Sequence, residues 1–197
     1  MPTQAERREA TMRAIEKAAQ QLFETRGFAD TTVDDIVSRA GVAKGAFYHH
    51  YPSKEIVFVN VLEMIQASLA REVAAVSAKA DTPVDRLRLG LGAYVEACQR
   101  PRVRKVLLLD GPSVLGWQRW REIDDKYFGK MTQRTVAAAL GPSAGPLHVS
   151  AVAALISGAF AEAAMLSVSS AASAFAPKDL RAAMDVLLAG LGRCRRV

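Results

Sequence analysis

Apolar residues along this chain recur every three or four positions, the period of helices with one buried face, and no stretch alternates in the manner of a strand. From Ala5 to Arg26 the residues Ile15, Ala18, Ala19, Leu22 and Phe23 form one face, with Glu, Arg and Gln opposite, and Gly27 stops the helix. Thr32 with Asp35 three positions on reads as an N-cap opening a short helix whose buried side is Val33, Ile36, Val37 and Ala40. Gly41 ends it. A second short helix is predicted over residues 43–50 after a turn of about two residues, and Pro52-Ser53 opens a long one from Lys54 to Val76.

Farther on, Thr82-Pro83 starts a helix running to Gln99, and Pro101 is expected to break it. A short helix then carries Val103 to Leu109, Gly111-Pro112 breaks the chain again, and a segment from Val114 to Leu140 follows. The Gly141–Pro146 stretch is the strongest turn signal. Leu147 to Leu166 and Lys178 to Arg193 read as two final helices joined by a Ser/Ala-rich link. The expected fold class is all-α.

Composition agrees: 197 residues, 50% hydrophobic and 23% charged, describe a folded chain rather than a disordered one. Charge is less informative. The net charge is +6, yet residues 1–60 carry eight basic and eight acidic side chains. The excess falls later, at Arg100, Arg102, Arg104 and Lys105 and at Arg193, Arg195 and Arg196, where a solvated surface is the preferred reading. Cys98 and Cys194 stand in no metal-binding or redox spacing, so free thiols in a reducing cytoplasm are expected, with neither metal nor cofactor. The N-terminus lacks the apolar core of a signal peptide, and no export is expected. Val149 to Phe175 is long enough to span a bilayer, but it is rich in Ala, Ser and Gly and carries Glu162 near its middle, which favours a helix buried against protein. No membrane partner is expected.

Three helices of about twenty, eight and eight residues, with a Gly turn between the last two, make a helix-turn-helix with its supporting helix. The run from Ala40 to Glu55, AGVAKGAFYHHYPSKE, sharpens this reading. It resembles the TetR family: an A-G-V turn, a basic-Gly step, an aromatic pair, a His before an aromatic, and S-K-E opening the next helix. Tyr51 stands where the family more often has Phe. With Gly27-Phe28 and Thr31-Thr32 the match covers about Ala10 to Phe58. The resemblance implies a helix-turn-helix DNA-binding domain over residues 1–53 and a larger helical ligand-binding and dimerisation bundle over 54–197. It also implies a cytoplasmic transcriptional regulator, a repressor released from a palindromic double-stranded operator by a small molecule.

The residue types suit DNA. Thr32 and the free N–H groups of its helix can meet a phosphate, and Lys44 and Gly45 open the helix that points into the major groove. Lysine there reaches phosphate or a guanine edge, and glycine lets the backbone approach the duplex. Ala43, Tyr48, His49, His50 and Lys54 complete the expected DNA-binding set, with His50 equally suited to a structural hydrogen bond.

In the remaining chain, the stretch from Leu109 to Asp124 looks like a segment found in one group of TetR-like regulators. Trp117, Trp120 and Phe128 fall near Phe58, Met64 and Tyr94 on neighbouring predicted helices, and together they suit a pocket for an apolar or aromatic effector. The same rings can simply fill core. Ala154 and Gly158 allow close helix contact, and with Leu180, Met184, Leu187 and Leu191 they suit a homodimer interface of four helices. A helical enzyme or ligand carrier is the competing class. Only three histidines are present, two within the motif, and no HExxH, GxSxG, Walker or dinucleotide-binding pattern occurs, so catalysis is not expected. His148 reads as a residue of a helix start.

Overall fold

Thr3 opens the first helix, α1 (Gln4–Thr25), by a reciprocal pair: Glu6 N–H donates to Thr3 Oγ1 at 3.2 Å, and Thr3 N–H donates to Glu6 Oε2 at 2.6 Å. The structure is a computed structural model describing residues 3–168 and 175–193, so Cys194, Arg195, Arg196 and most of the Ser/Ala-rich link lie outside the described residues. Among the described residues all regular structure is helical. Gly27, at φ 93°, closes α1. Next come α2 (Val33–Ala40), α3 (Lys44–His50) and α4 (Lys54–Ser77), then α5 (Pro83–Cys98), capped by Thr82.

The sequence expectation fails at Gly111-Pro112. Pro101 starts a turn, α6 (Pro101–Val103), which runs into a π-helical stretch, Arg104–Asp110, and on into α7 (Gly111–Leu115). Proline at the beginning of a helix forfeits no hydrogen bond, since the first N–H groups have no intrahelical partner. Pro101 thus follows the end of α5, expected at Gln99 and found at Cys98, and opens the next turn, whereas Pro112 lies in an unbroken helical run instead of breaking the chain. The wider π turn sets Val106, Leu107 and Leu108 consecutively in the core. The actual break is Gly116, at φ 75°, after which α8 (Trp117–Leu140) begins. Val114 and Leu115 thus belong to α7. The last two helices are α9 (Pro146–Val168) and α10 (Pro177–Arg193).

The chain forms two compact units, one of residues 1–65 with 101–117 and the other of 66–100 with 118–197. This grouping divides the chain within α4 rather than at residue 53. In the first unit the predicted face of α1 is the buried one: Ile15, Ala18, Ala19, Leu22 and Phe23 are each at most 3% exposed. Phe23, Phe28 and Phe58 pack ring against ring, with centroids 5.1–5.8 Å apart. The loop after α1 is held from both sides. Phe28 N–H donates to Asp110 Oδ2 at 2.8 Å, while Lys54 Nζ donates to the carbonyls of Phe28 and Thr31 at 2.8 and 2.7 Å.

In the second unit Leu87, Val136, Leu140, Val149, Ala153 and Leu188 form one core cluster, and Leu91, Val95, Ala163 and Met184 another. Residues 146–167 of α9 are apolar and long enough to cross a bilayer, but Val149, Ala153, Ala161, Ala163 and Ala164 are buried within this unit.

Gly41 tests the turn between α2 and α3. Its φ of 68° is left-handed, and an added Cβ would meet nothing within 4 Å, so substitution introduces backbone strain without a clash. Gly41→Ala is expected to lower the unfolding free energy by about 1 kcal/mol in denaturant titration. A variant as stable as the parent would show that the turn tolerates a side chain.

Candidate nucleic-acid interface and buried cavity

Helix α2 is fixed at its start by Thr32. The Thr32 hydroxyl accepts from Asp35 N–H at 3.1 Å, Asp35 Oδ2 accepts from Thr32 N–H at 2.9 Å, and the hydroxyl lies 2.6 Å from the same carboxylate oxygen. These bonds, side-chain first, hold the Asp35 carboxyl below its usual range. Thr32 remains exposed, but its hydroxyl is committed to the cap.

Helix α3 presents an open surface. Ala43, Lys44, Gly45, Tyr48 and His49 are exposed, whereas Phe47 is fully buried. Ala43 supplies no side-chain cap, and the space beside Gly45 is empty to 4 Å. Tyr48 is half exposed and stands edge-on to Phe47, with centroids 5.3 Å apart. Lys44 Nζ pairs with Asp34 Oδ1 at 2.8 Å, and the hydrogen bond and charge of Asp34 raise its pKa. Both side chains are more than half exposed, so the pair contributes little stability and is easily exchanged for a phosphate.

Of two other expected contacts, His50 is partly withdrawn from the surface and Lys54 is engaged locally. His50 is half-buried beside His49, its Nδ1 is buried without a hydrogen-bond partner, and desolvation, then His49 and Arg8, lower its pKa. Lys54 uses two of its three donors on the loop carbonyls and lies over the Phe28 ring at 4.0 Å. Its visible role is to hold α4 to the loop. Asp34, the partner of Lys44, was missed because i-to-i+10 pairing across a turn has no simple sequence period.

The second unit encloses a cavity of about 40 Å³ between α4, α5, α8 and α9. Of the six residues expected to form a pocket, Tyr94 and Phe128 line it, with ring centroids 5.1 Å apart. The other four do not. Phe58 belongs to the aromatic core of the first unit, Trp117 and Met64 are about half exposed, and Trp120 is buried one turn before the cavity wall. Proximity in sequence did not give their helical phase. The wall is more polar than expected, with Ser77, Thr132, Thr135, Ser157 and Asp124 among Val73, Leu87, Met131 and Phe160.

Asp124 is the centre of that polarity. Its Oδ1 accepts from Tyr94 OH at 3.0 Å and Gln66 Nε2 at 3.2 Å, and its Oδ2 lies 3.2 Å from Arg121 Nη1. Burial raises its pKa, opposed by Arg121, Tyr94 and Gln66 in that order. Cys98, close by, is pushed up to about 12, chiefly by burial, and remains a thiol. An acid on the apolar stripe of Trp120 and Phe128 was the sequence signal for this cluster.

A short capped helix, a glycine turn and an exposed second helix define a helix-turn-helix regulator. The profile of bacterial regulatory proteins of the tetR family matches residues 9–61, and that of the tetracyclin repressor-like C-terminal domain matches 84–191. The chain belongs to the TetR family. It is 36% identical over 86 residues to the HTH-type transcriptional regulator EthR of Mycobacterium tuberculosis, a match covering 42% of this chain and only 39% of that protein. A TetR-family transcriptional regulator from Pectobacterium atrosepticum superposes with a TM-score of 0.77 at 28% identity, covering 96% of this chain and 97% of that one. RolR in complex with resorcinol superposes with a TM-score of 0.73 at 18% identity, covering 98% and 96%, a likeness of fold alone.

The exposed face of α3 makes a direct prediction. Lys44→Ala and Tyr48→Phe are each expected to weaken operator binding, Lys44→Ala by roughly tenfold, with helicity unchanged by circular dichroism. Unchanged operator affinity in both variants would remove these residues from the interface.

Proposed function

We propose that this protein is a transcriptional repressor that leaves a palindromic operator when a small molecule enters the cavity of the second unit. One observation carries the reading: α3 follows a left-handed glycine turn and exposes Lys44, Gly45 and Tyr48 together, as a helix entering the major groove requires. Thr32, Ala43 and His49 flank that face and complete the proposed contacts. Residues 1–53 are assigned to DNA and 54–197 to ligand and dimerisation, in a cytoplasmic protein. The resorcinol bound by RolR supports a small-molecule effector on this fold.

A two-fold protein reads half-sites about 34 Å apart or a multiple of it, so the proposal needs a homodimer. The last two helices suit this, through a set of residues that keeps Ala154, Gly158 and Leu187 of those expected and leaves out the other three. Leu180 and Met184 are buried within the protomer, and Leu191 packs partly against its core, so these do not offer a free surface. Leu147, Leu155, Val186 and Leu187 are 62–88% exposed, with Ala154 and Gly158 on the same helix as Leu155. That apolar surface is what a second copy would cover.

Electrophoretic mobility shift with the DNA flanking the protein's own gene tests the function. Saturable, sequence-selective retardation is expected, and its absence over a full range of protein concentration would end the repressor reading. Dimerisation is tested separately by sedimentation. Leu155→Arg and Leu187→Arg leave the protomer core untouched and are each expected to give helical monomers with operator affinity reduced more than tenfold. A native protein that stays monomeric at micromolar concentration would contradict this arrangement.

A further inference from the structure

The cavity wall and the buried cluster behind Asp124 meet at one carboxylate, and the hydrogen bonds there do not balance. Asp124 is 4% exposed, and the three donors named above occupy three of its four acceptor positions. Gln66 is fully buried, its amide N–H is given to Asp124, and its Oε1 has no partner. Acceptors exceed donors. Charge at Asp124, in contrast, is balanced, because the Arg121 guanidinium already faces the carboxylate, and Arg86, a cation of the lining, is exposed to solvent. A cationic ligand would find its counter-charge taken, and an anionic one would be set against a carboxylate unless it turned toward the solvated Arg86. The rest of the wall is largely hydrocarbon, with Val73, Leu87, Phe128 and Phe160 contributing.

We propose that the effector is an uncharged compound bearing a hydroxyl group on an apolar ring or chain, its O–H donating to Asp124 Oδ2. This rests on the reading of the cavity as the effector site. The hydroxyl supplies the missing donor, and the hydrocarbon lies against the apolar wall. At about 40 Å³ the cavity is far below the roughly 300 Å³ of an ordinary small-molecule pocket, so entry of a ring displaces lining side chains. Met131, unbranched and only partly buried, is the most readily moved. A compound of the same shape without the hydroxyl would fill the space and leave the acceptors unpaired, which is the circumstance in which polar sites discriminate strongly.

Isosteric probe pairs isolate the hydroxyl: phenol against toluene, benzyl alcohol against ethylbenzene, and 1-hexanol against heptane, titrated calorimetrically into the full-length protein. Hydrophobicity alone favours the hydrocarbon of each pair. The expected result is the reverse, at least tenfold tighter binding of an alcohol or phenol than of its hydrocarbon partner. The double variant Arg121→Met, Asp124→Leu removes both charges without stranding either and is expected to reverse the preference. If it does not fold, Tyr94→Phe frees another acceptor on Asp124, and alcohol affinity is expected to rise threefold or more with hydrocarbon affinity unchanged. Equal binding of both members of every pair overturns hydroxyl recognition and leaves the cavity as an effector site. Tighter binding of benzylammonium or of benzoate than of benzyl alcohol overturns the uncharged class. Binding of no probe removes the effector role of the cavity and this inference with it, and a preference that survives the double variant, or that Tyr94→Phe leaves unchanged, places the recognition elsewhere.

Discussion

A carboxylate buried among apolar helices must be satisfied where it stands, and in the second unit that requirement fixes three helices at once. Desolvation of an unpaired charge costs several kcal/mol, far more than any one side-chain contact in the unit returns. Asp124 of α8 meets it with Gln66 from α4, Tyr94 from α5 and Arg121 from its own helix. Hydrogen bonds are directional where hydrocarbon contacts are not, so the cluster sets the phase of α4, α5 and α8 to within a fraction of a turn. The cavity lies beside this cross-link and is lined by the same helices.

The first unit has a comparable point of fixation in a single loop residue. Phe28 gives its N–H to Asp110, its carbonyl to Lys54 and its ring to Phe23 and Phe58. The angle at which α2 leaves α1 is therefore set by the loop and not by the two helices alone. Asp110 comes from 82 positions away in sequence, which explains why residues 101–117 group with the first unit although α4 and α5 intervene. Gly27 belongs to the same arrangement: a Cβ there would come within 2.7 Å of Lys105 and 3.2 Å of Asp110.

The local rules of helix formation were legible in the sequence, and the long-range ones were not. Caps at Thr32 and Thr82, the left-handed stop at Gly41 and the buried face of α1 follow from neighbouring residues, and they stand where the pattern placed them. The break expected at Gly111-Pro112 went astray because proline starts a helix as readily as it ends one, and only packing decides which. Tyr94 and Phe128 were found as aromatic residues near one another in the order of helices. Ser77, Thr132 and Ser157 were missed because isolated hydroxyls carry no pattern. The two dimer candidates Leu180 and Met184 show a further limit: an apolar stripe announces burial without saying whether its own chain or another covers it.

Gly116 ends α7 just before the two tryptophans, which share the first turn of α8 yet fall in different units. Trp117 falls in the first unit and is 53% exposed, while Trp120, three residues later, falls in the second and is completely buried. Indole emission moves to longer wavelength in water and to shorter wavelength in a dry interior, so the native chain carries two spectrally separable labels, one in each unit. Replacing either ring with phenylalanine leaves an optical readout of the other unit alone, without any foreign dye.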